Sequence, residues 1–460
     1  MFLLEPVYPV FVVEFIIGAR TAIEFTDMKK RYKPSTCAML ALTLTAGAIA
    51  PSGRASATDP TWVATWTASP QPVWGADFLF PTNVPTTLRD QTVRQVVRVS
   101  LGGARVRIVL SNAYGKQPVT VGKATIALPA ADGAVIVDSL NTANFGGRKV
   151  ATILPGASLV SDPVALPVPA LGQVAVSLYF PEETPITTFH WDGRQTGWIA
   201  SGDQTAAAKP DVSGPHIERT TARPLLTGVF VEAAPDTRAI AVIGDSITDG
   251  ATASLDQDSR WPDFLAARLA PHGVAVINAG ISGARLLSDG MGVNALARLD
   301  RDVLAQPGVR SVIVMLGIND ISWPGTAFAP TGSRPTLDAL TAGYRQLIEQ
   351  AHNRGVRVIG ATLTPFEGAL PDTPLDNYYQ PDKDALRQRV NEWIRHSGAF
   401  DAVIDFDAAL RDPAHPARIS APFDSGDHLH PGDEGNRVMA ETVDLEALLP
   451  DIGHTRSPAR

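Results

Sequence analysis

The 460 residues include a single cysteine, Cys37. It falls in a segment expected to be removed, so the mature protein should have neither a disulfide nor a thiol nucleophile, and cysteine usage says nothing about redox compartment. Long apolar runs are scarce too. None of about 20 residues occurs beyond the N-terminal region, so no spanning helix is expected. Within that region, Val7 to Gly18 is only about a dozen residues long and contains Pro9 and Glu14, too short and too polar to cross a bilayer. Charged residues are 19% against 45% hydrophobic, which suits a soluble globular chain. Positive charge is in deficit: the net charge is −8, and residues 1–57, with six basic and four acidic side chains, leave −10 on the rest. An acidic surface disfavours nucleic acid and anionic membranes as partners. Internal repeats, low-complexity tracts and a G-x-x-x-x-G-K-[ST] phosphate loop are absent as well.

Export is signalled at the front. Met28 to Lys33 is a basic start, Cys37 to Ala50 is moderately apolar, and Ala55, Ser56 and Ala57 form a small-residue cleavage site. Residues 28–57 therefore read as a signal peptide, with 1–27 upstream of the true start, and the product is expected to be secreted or periplasmic.

Two patterns divide the remainder. From Trp62 to Val231, short alternating runs are separated by Gly and Pro, the signature of an antiparallel, jelly-roll-like β-sandwich, assigned to residues 58–235. In Gln91 to Leu101, Val93, Val97, Val99 and Leu101 share one face, while Arg94, Arg98 and Ser100 take the other. After Glu232–Arg238, apolar strands alternate with helical segments. The strands are expected at Ala239–Gly244, Val274–Asn278, Ser311–Leu316, Val356–Thr362 and Ala402–Phe406, and the clearest helix at Thr336–Asn353. Near-continuous hydrophobicity suits strands buried on both faces, so residues 236–450 are expected to be α/β, a flavodoxin-like doubly wound domain with a five-stranded parallel sheet; 451–460 is a tail.

Open α/β sheets bind ligands beyond the carboxyl ends of their strands. There the first strand ends in Gly244-Asp245-Ser246, the second runs into Gly280-Ile281-Ser282-Gly283, and the third into Gly317-Ile318-Asn319-Asp320. The loop before the last helix reads Asp427-His428-Leu429-His430. Ser246 is the candidate nucleophile, although a serine after a strand is also a common helix N-cap. Asp427 pairs with an imidazole across a turn, but spacing does not distinguish His428 from His430. A metal site of Asp427, His428 and His430 is the competing reading.

These four ordered blocks, spanning about residues 238–447, resemble those of the SGNH hydrolases, the GDSL esterase and lipase family, with Ile247 where the family name implies leucine. The first half resembles the β-rich N-terminal domain of some bacterial members. The resemblance implies Ser246 as nucleophile, His430 as base, Asp427 as its orienting partner, and Ser246, Gly283 and Asn319 as oxyanion donors. It requires no cofactor and no metal. Asp245, Asp249 and Asp320 are expected to support the loops, Gly280 to serve backbone geometry, and Arg285 to lie on the rim. His190, Trp191 and Trp198 either border the mouth or bind a sugar face by stacking, or else they pack in the core or rim. The expected substrate is a small-molecule or polysaccharide ester with a short acyl or acetyl group. The alternatives are a lipase or lysophospholipase acting on longer chains, or a carbohydrate-binding protein with an inactive hydrolase scaffold. Stable membrane insertion is not expected, and oligomeric state is left open.

Overall fold

In the computed structural model, residues 61–211 and 218–449 are described; the expected signal peptide, upstream segment and C-terminal tail lie outside them. Besides three two-stranded sheets, the alternating runs of the first half form two large antiparallel ones. One places Leu226–Ala233 between Thr61–Thr67 and Gly103–Ser111, and the latter also pairs with Ser158–Val160 and Val164–Val168. The other has Gln91–Arg98 and Gln173–Phe180 at its centre, flanked by Gly197–Ser201 and Lys123–Ala127. Val93, Val97, Val176 and Leu178 of one sheet share a core with Val106, Ile108, Val229 and Val231 of the other, as side chains of period two require. The opposite face of Gln91–Arg98 is not solvent. Arg94 is 2% exposed, and its guanidinium donates to Ser177 Oγ and to the carbonyls of Gly133, Gln204 and Ala207, so loops cover that side.

The second half carries a five-stranded parallel sheet in the order Val274–Gly280, Arg238–Gly244, Val309–Met315, Arg357–Ala361, Ala402–Ile404. In chain order this is 2-1-3-4-5, the flavodoxin-like arrangement. Alternate residues serve opposite layers. Ala239, Ala241 and Ile243 face the core containing Leu340, Tyr344 and Leu347 of the helix Leu337–His352. Ile240 and Val242 face Trp261, Leu265 and Met439. One expected element ends early: the last strand stops at Ile404, because Asp405 caps a short helix, Phe406–Leu410, by accepting from the Ala408 amide.

The sandwich and the parallel sheet share one core. The strand Thr61–Thr67 lies beside Val274–Gly280, the outermost strand of the parallel sheet. Thr67 Oγ1 donates to the Asn278 carbonyl at 2.9 Å, and the Val276 amide donates to Ser100 Oγ at 3.0 Å. Both halves belong to one compact unit.

Candidate active site

The loops that leave the carboxyl ends of the first three parallel strands meet the loop before the helix Asp433–Thr442. Ser246 opens a single helical turn, Ser246–Asp249, whose N-cap is Asp245; the Asp245 carboxylate accepts from the Ile247 amide at 3.1 Å. The first amide of a helix has no partner within it, so the Ser246 N–H is free of the helix ladder. Two glycines make the turn possible. A Cβ on Gly244 would lie 2.1 Å from Thr248 Oγ1, and one on Gly280 would lie 2.4 Å from the Asp249 nitrogen, so both positions require the close backbone approach that only glycine permits.

Ser246 Oγ lies 2.8 Å from His430 Nε2, and His430 Nδ1 lies 2.6 Å from Asp427 Oδ2. The other Asp427 oxygen accepts from the amides of Leu429 and His430. Burial works to raise the Asp427 pKa, but the hydrogen bond and charge of His430, with the two amides, hold it well below the ordinary carboxylate range. Such a chain can move a proton from hydroxyl to imidazole while the carboxylate stays ionised. His428 is turned away. It sits at φ +62° with Nδ1 on Asp424 Oδ2, so the three side chains of the competing metal reading do not converge. Among the described residues, no group of three or more His, Cys, Asp or Glu is arranged to hold a metal ion.

Gly283 and Asn319 line the same cavity as Ser246, His430 and Asp427, a space of about 330 Å³. Gly283 has φ +71°, and a Cβ there would meet Met291 and Trp323 at 2.8 Å. The Asn319 amide is held at both ends: Nδ2 donates to the Ala284 carbonyl at 3.0 Å, and Oδ1 accepts from Tyr378 Oη at 2.7 Å. One Nδ2 hydrogen remains for a ligand. Tyr378 has no sequence signal, since it reaches Asn319 from a loop 59 residues away.

The acidic neighbours brace the loops. Asp320 accepts from the Leu286 and Leu287 amides, and burial raises its pKa to about 6. Asp249 accepts from both the amide and the hydroxyl of Ser282, which precedes Gly283. Its other oxygen lies 2.9 Å from His190 Nε2, while His190 Nδ1 meets the Ser69 carbonyl at 3.0 Å. Burial opposes charge on His190, but Asp249 outweighs it and raises the pKa. An imidazole between a carboxylate and a carbonyl can donate from both nitrogens only when protonated, so this pair of acceptors favours the imidazolium form of His190. Arg298, also unforeseen, donates to the carbonyls of Gly244 and Ala279, tying together the ends of the first two parallel strands.

The remaining candidates separate. Trp191 lines the cavity. Trp198 packs with Val96, Ala127, Val135 and Ala175 on the sandwich and does not line the cavity. Arg285 lies over the Trp323 ring at 4.9 Å and does not line the cavity.

Residues 242–438 match the GDSL-like Lipase/Acylhydrolase family. No curated protein sequence matches the chain. Solved structures similar to part of it include a catalytic mutant of an acetylxylan esterase from Geobacillus stearothermophilus, at 26% identity, covering 48% of this chain and 97% of that one with a TM-score of 0.34. The native aryl esterase of M. smegmatis is 21% identical over 47% of this chain and 99% of that one, with a TM-score of 0.37. A GDSL-like lipase from Bacteroides thetaiotaomicron is 18% identical over 46% and 88%, with a TM-score of 0.34.

Proposed function

We propose, from the match of residues 242–438 to the GDSL-like Lipase/Acylhydrolase family, that this protein is a carboxylic ester hydrolase and that Ser246, His430 and Asp427 perform the reaction. The observation that carries this reading is the unbroken hydrogen-bond chain from Ser246 Oγ through His430 to Asp427.

In the proposed reaction Ser246 Oγ attacks the ester carbonyl carbon as its proton passes to His430 Nε2. The tetrahedral oxyanion is met by the amides of Ser246 and Gly283 and by Asn319 Nδ2, each worth about 3 kcal/mol by analogy with other hydrolases. Collapse breaks the bond to the alcohol, which leaves with the proton held by His430. Water then attacks the acyl-enzyme, giving a proton to His430, and the carboxylic acid departs as Ser246 Oγ recovers its hydrogen. Asp427 keeps the imidazole in the tautomer with Nδ1–H and stabilises the imidazolium.

Hydrolysis of p-nitrophenyl acetate by the purified protein, beside its Ser246→Ala variant, tests the assignment. The variant should keep its circular dichroism spectrum and lose at least about 10³-fold in kcat. Equal rates in the two proteins would remove Ser246 from the mechanism. Export through residues 28–57 is part of the same proposal; N-terminal sequencing of protein recovered outside the cytoplasm should begin near residue 58.

A further inference from the structure

The sandwich half contributes Leu79, Phe80 and Trp191 to the lining of the cavity that holds Ser246. Phe80 and Trp191 stack at 5.3 Å between ring centroids with 21° between planes, and Phe328, from the loop after the third parallel strand, meets Phe80 at 5.5 Å. Leu79 stands beside them, 45% exposed. This wall is fixed before any ligand arrives. Trp74 Nε1 donates to the Phe80 carbonyl at 2.7 Å, and Trp191 Nε1 donates to the Pro81 carbonyl at 2.8 Å. Gln71 bridges the halves, accepting from the Trp191 amide and donating to the Met291 carbonyl.

The polar side chains of the lining point the same way. Outside the proposed reacting set, these are Trp191, Thr252, Ser282, Thr373 and Tyr378. Each directs its hydrogen at a protein acceptor: the carbonyls of Pro81, Pro431 and Leu370 for Trp191, Thr252 and Thr373, the Asp249 carboxylate for Ser282, and Asn319 Oδ1 for Tyr378. No further carboxylate, amide or guanidinium side chain among the described residues lines the space. A sugar ring, with a hydroxyl on nearly every carbon, would surrender water there and find no side-chain donor outside the reacting set left free to replace it, at a cost for each unpaired oxygen. A benzene ring or a short alkyl chain gains from the same surface. The volume, about 330 Å³, is at the lower end of small-molecule sites, roughly 300–1,000 Å³.

Resting on the serine ester hydrolase reading, we infer that the substrate is an ester bearing one compact apolar group, a single ring or a chain of about six carbons, and that Leu79, Phe80 and Trp191 of the sandwich half select it. Sugar acetates are poor substrates on this reading, because no free side-chain donor in the wall replaces the water around their oxygens.

The test uses esters with unactivated alcohols, so that leaving-group chemistry does not mask recognition: ethyl acetate, benzyl acetate, ethyl hexanoate and methyl 6-O-acetyl-glucopyranoside, followed by pH-stat. Benzyl acetate or ethyl hexanoate should exceed ethyl acetate at least tenfold in kcat/KM. Phe80→Ser, with its circular dichroism spectrum unchanged, should abolish that preference and bring benzyl acetate and ethyl hexanoate to the kcat/KM of ethyl acetate. Methyl 6-O-acetyl-glucopyranoside cleaved as fast as benzyl acetate, or a preference unchanged in Phe80→Ser, overturns the inference. Calorimetric titration of Ser246→Ala with benzyl acetate separates the two readings. If wild type turns over no ester, yet this variant binds benzyl acetate and a second Phe80→Ser change abolishes binding, the pocket assignment stands and the serine mechanism falls. If binding is absent and turnover shows no preference, the serine mechanism stands and the pocket assignment falls.

Discussion

Burial sets the behaviour of Asp245 more than any partner does. Its Oδ1 has the Ile247 amide, its Oδ2 has no partner among the described residues, and its pKa is raised to about 7, chiefly by desolvation. A folded pKa above the unfolded value of about 3.9 means that the folded state binds the proton more tightly. Stability from this group is therefore complete below about pH 4, declines as pH rises, and is lost once pH passes about 7. Asp245→Asn has the same shape without the charge, so its melting temperature should exceed that of wild type at about pH 8, with the gap closing by about pH 4. A gap independent of pH would remove Asp245 as its cause. The neighbouring histidines show where residue-level reading stops. His428 and His430 follow Asp427 at distances that both permit a bond, and they are told apart by the left-handed backbone at His428, which carries its ring to Asp424. A left-handed conformation at a non-glycine residue leaves no mark in composition or periodicity.

At the scale of elements, the buried pair of His190 and Asp249 joins a sandwich loop to the first helical turn, and through Ser282 to the loop bearing Gly283. Removing one member of such a pair strands the other, at a cost of about 3–5 kcal/mol. His190→Ala should therefore lower unfolding stability in urea by that order and reduce kcat, because Ser282 loses a fixed acceptor. The sign with pH follows from the raised pKa. The contribution of His190 is fully present below the ordinary histidine value of about 6.5 and is lost as pH rises through its higher folded value. Wild type and variant should thus converge in alkaline buffer; a constant difference would show that packing, not charge, is responsible. The strands are legible in the sequence because burial on both faces writes a continuous apolar run, as in Val309–Met315. The pair is not, since His190 and Asp249 lie 59 residues apart and each has an ordinary reading as a loop residue.

For the whole molecule, periodicity separates an alternating first half from a strand-and-helix second half, and both kinds of sheet are present. Their joint is not visible that way, because Thr67 and Ser100 look like solvent-facing strand residues while bonding to the Asn278 carbonyl and the Val276 amide. Arg94 misleads similarly, since its charge suggests water and its guanidinium is enclosed by carbonyls. A shared core predicts shared melting. Scanning calorimetry of the purified protein should give one transition with equal calorimetric and van't Hoff enthalpies; two resolved transitions would mean that the halves fold as separate units.

The edge contact at Val274–Gly280 bears on how the chain is made. An outermost strand offers an unpaired ladder to any passing strand, a common route to aggregation. The opposite outermost strand, Ala402–Ile404, is only three residues long. The longer edge is covered by the strand Thr61–Thr67 and the Ser100 hydroxyl. During synthesis from the amino terminus, those groups leave the ribosome well before Val274 does. Each newly made hydrolase half therefore meets its edge guard already waiting, supplied by the same polypeptide.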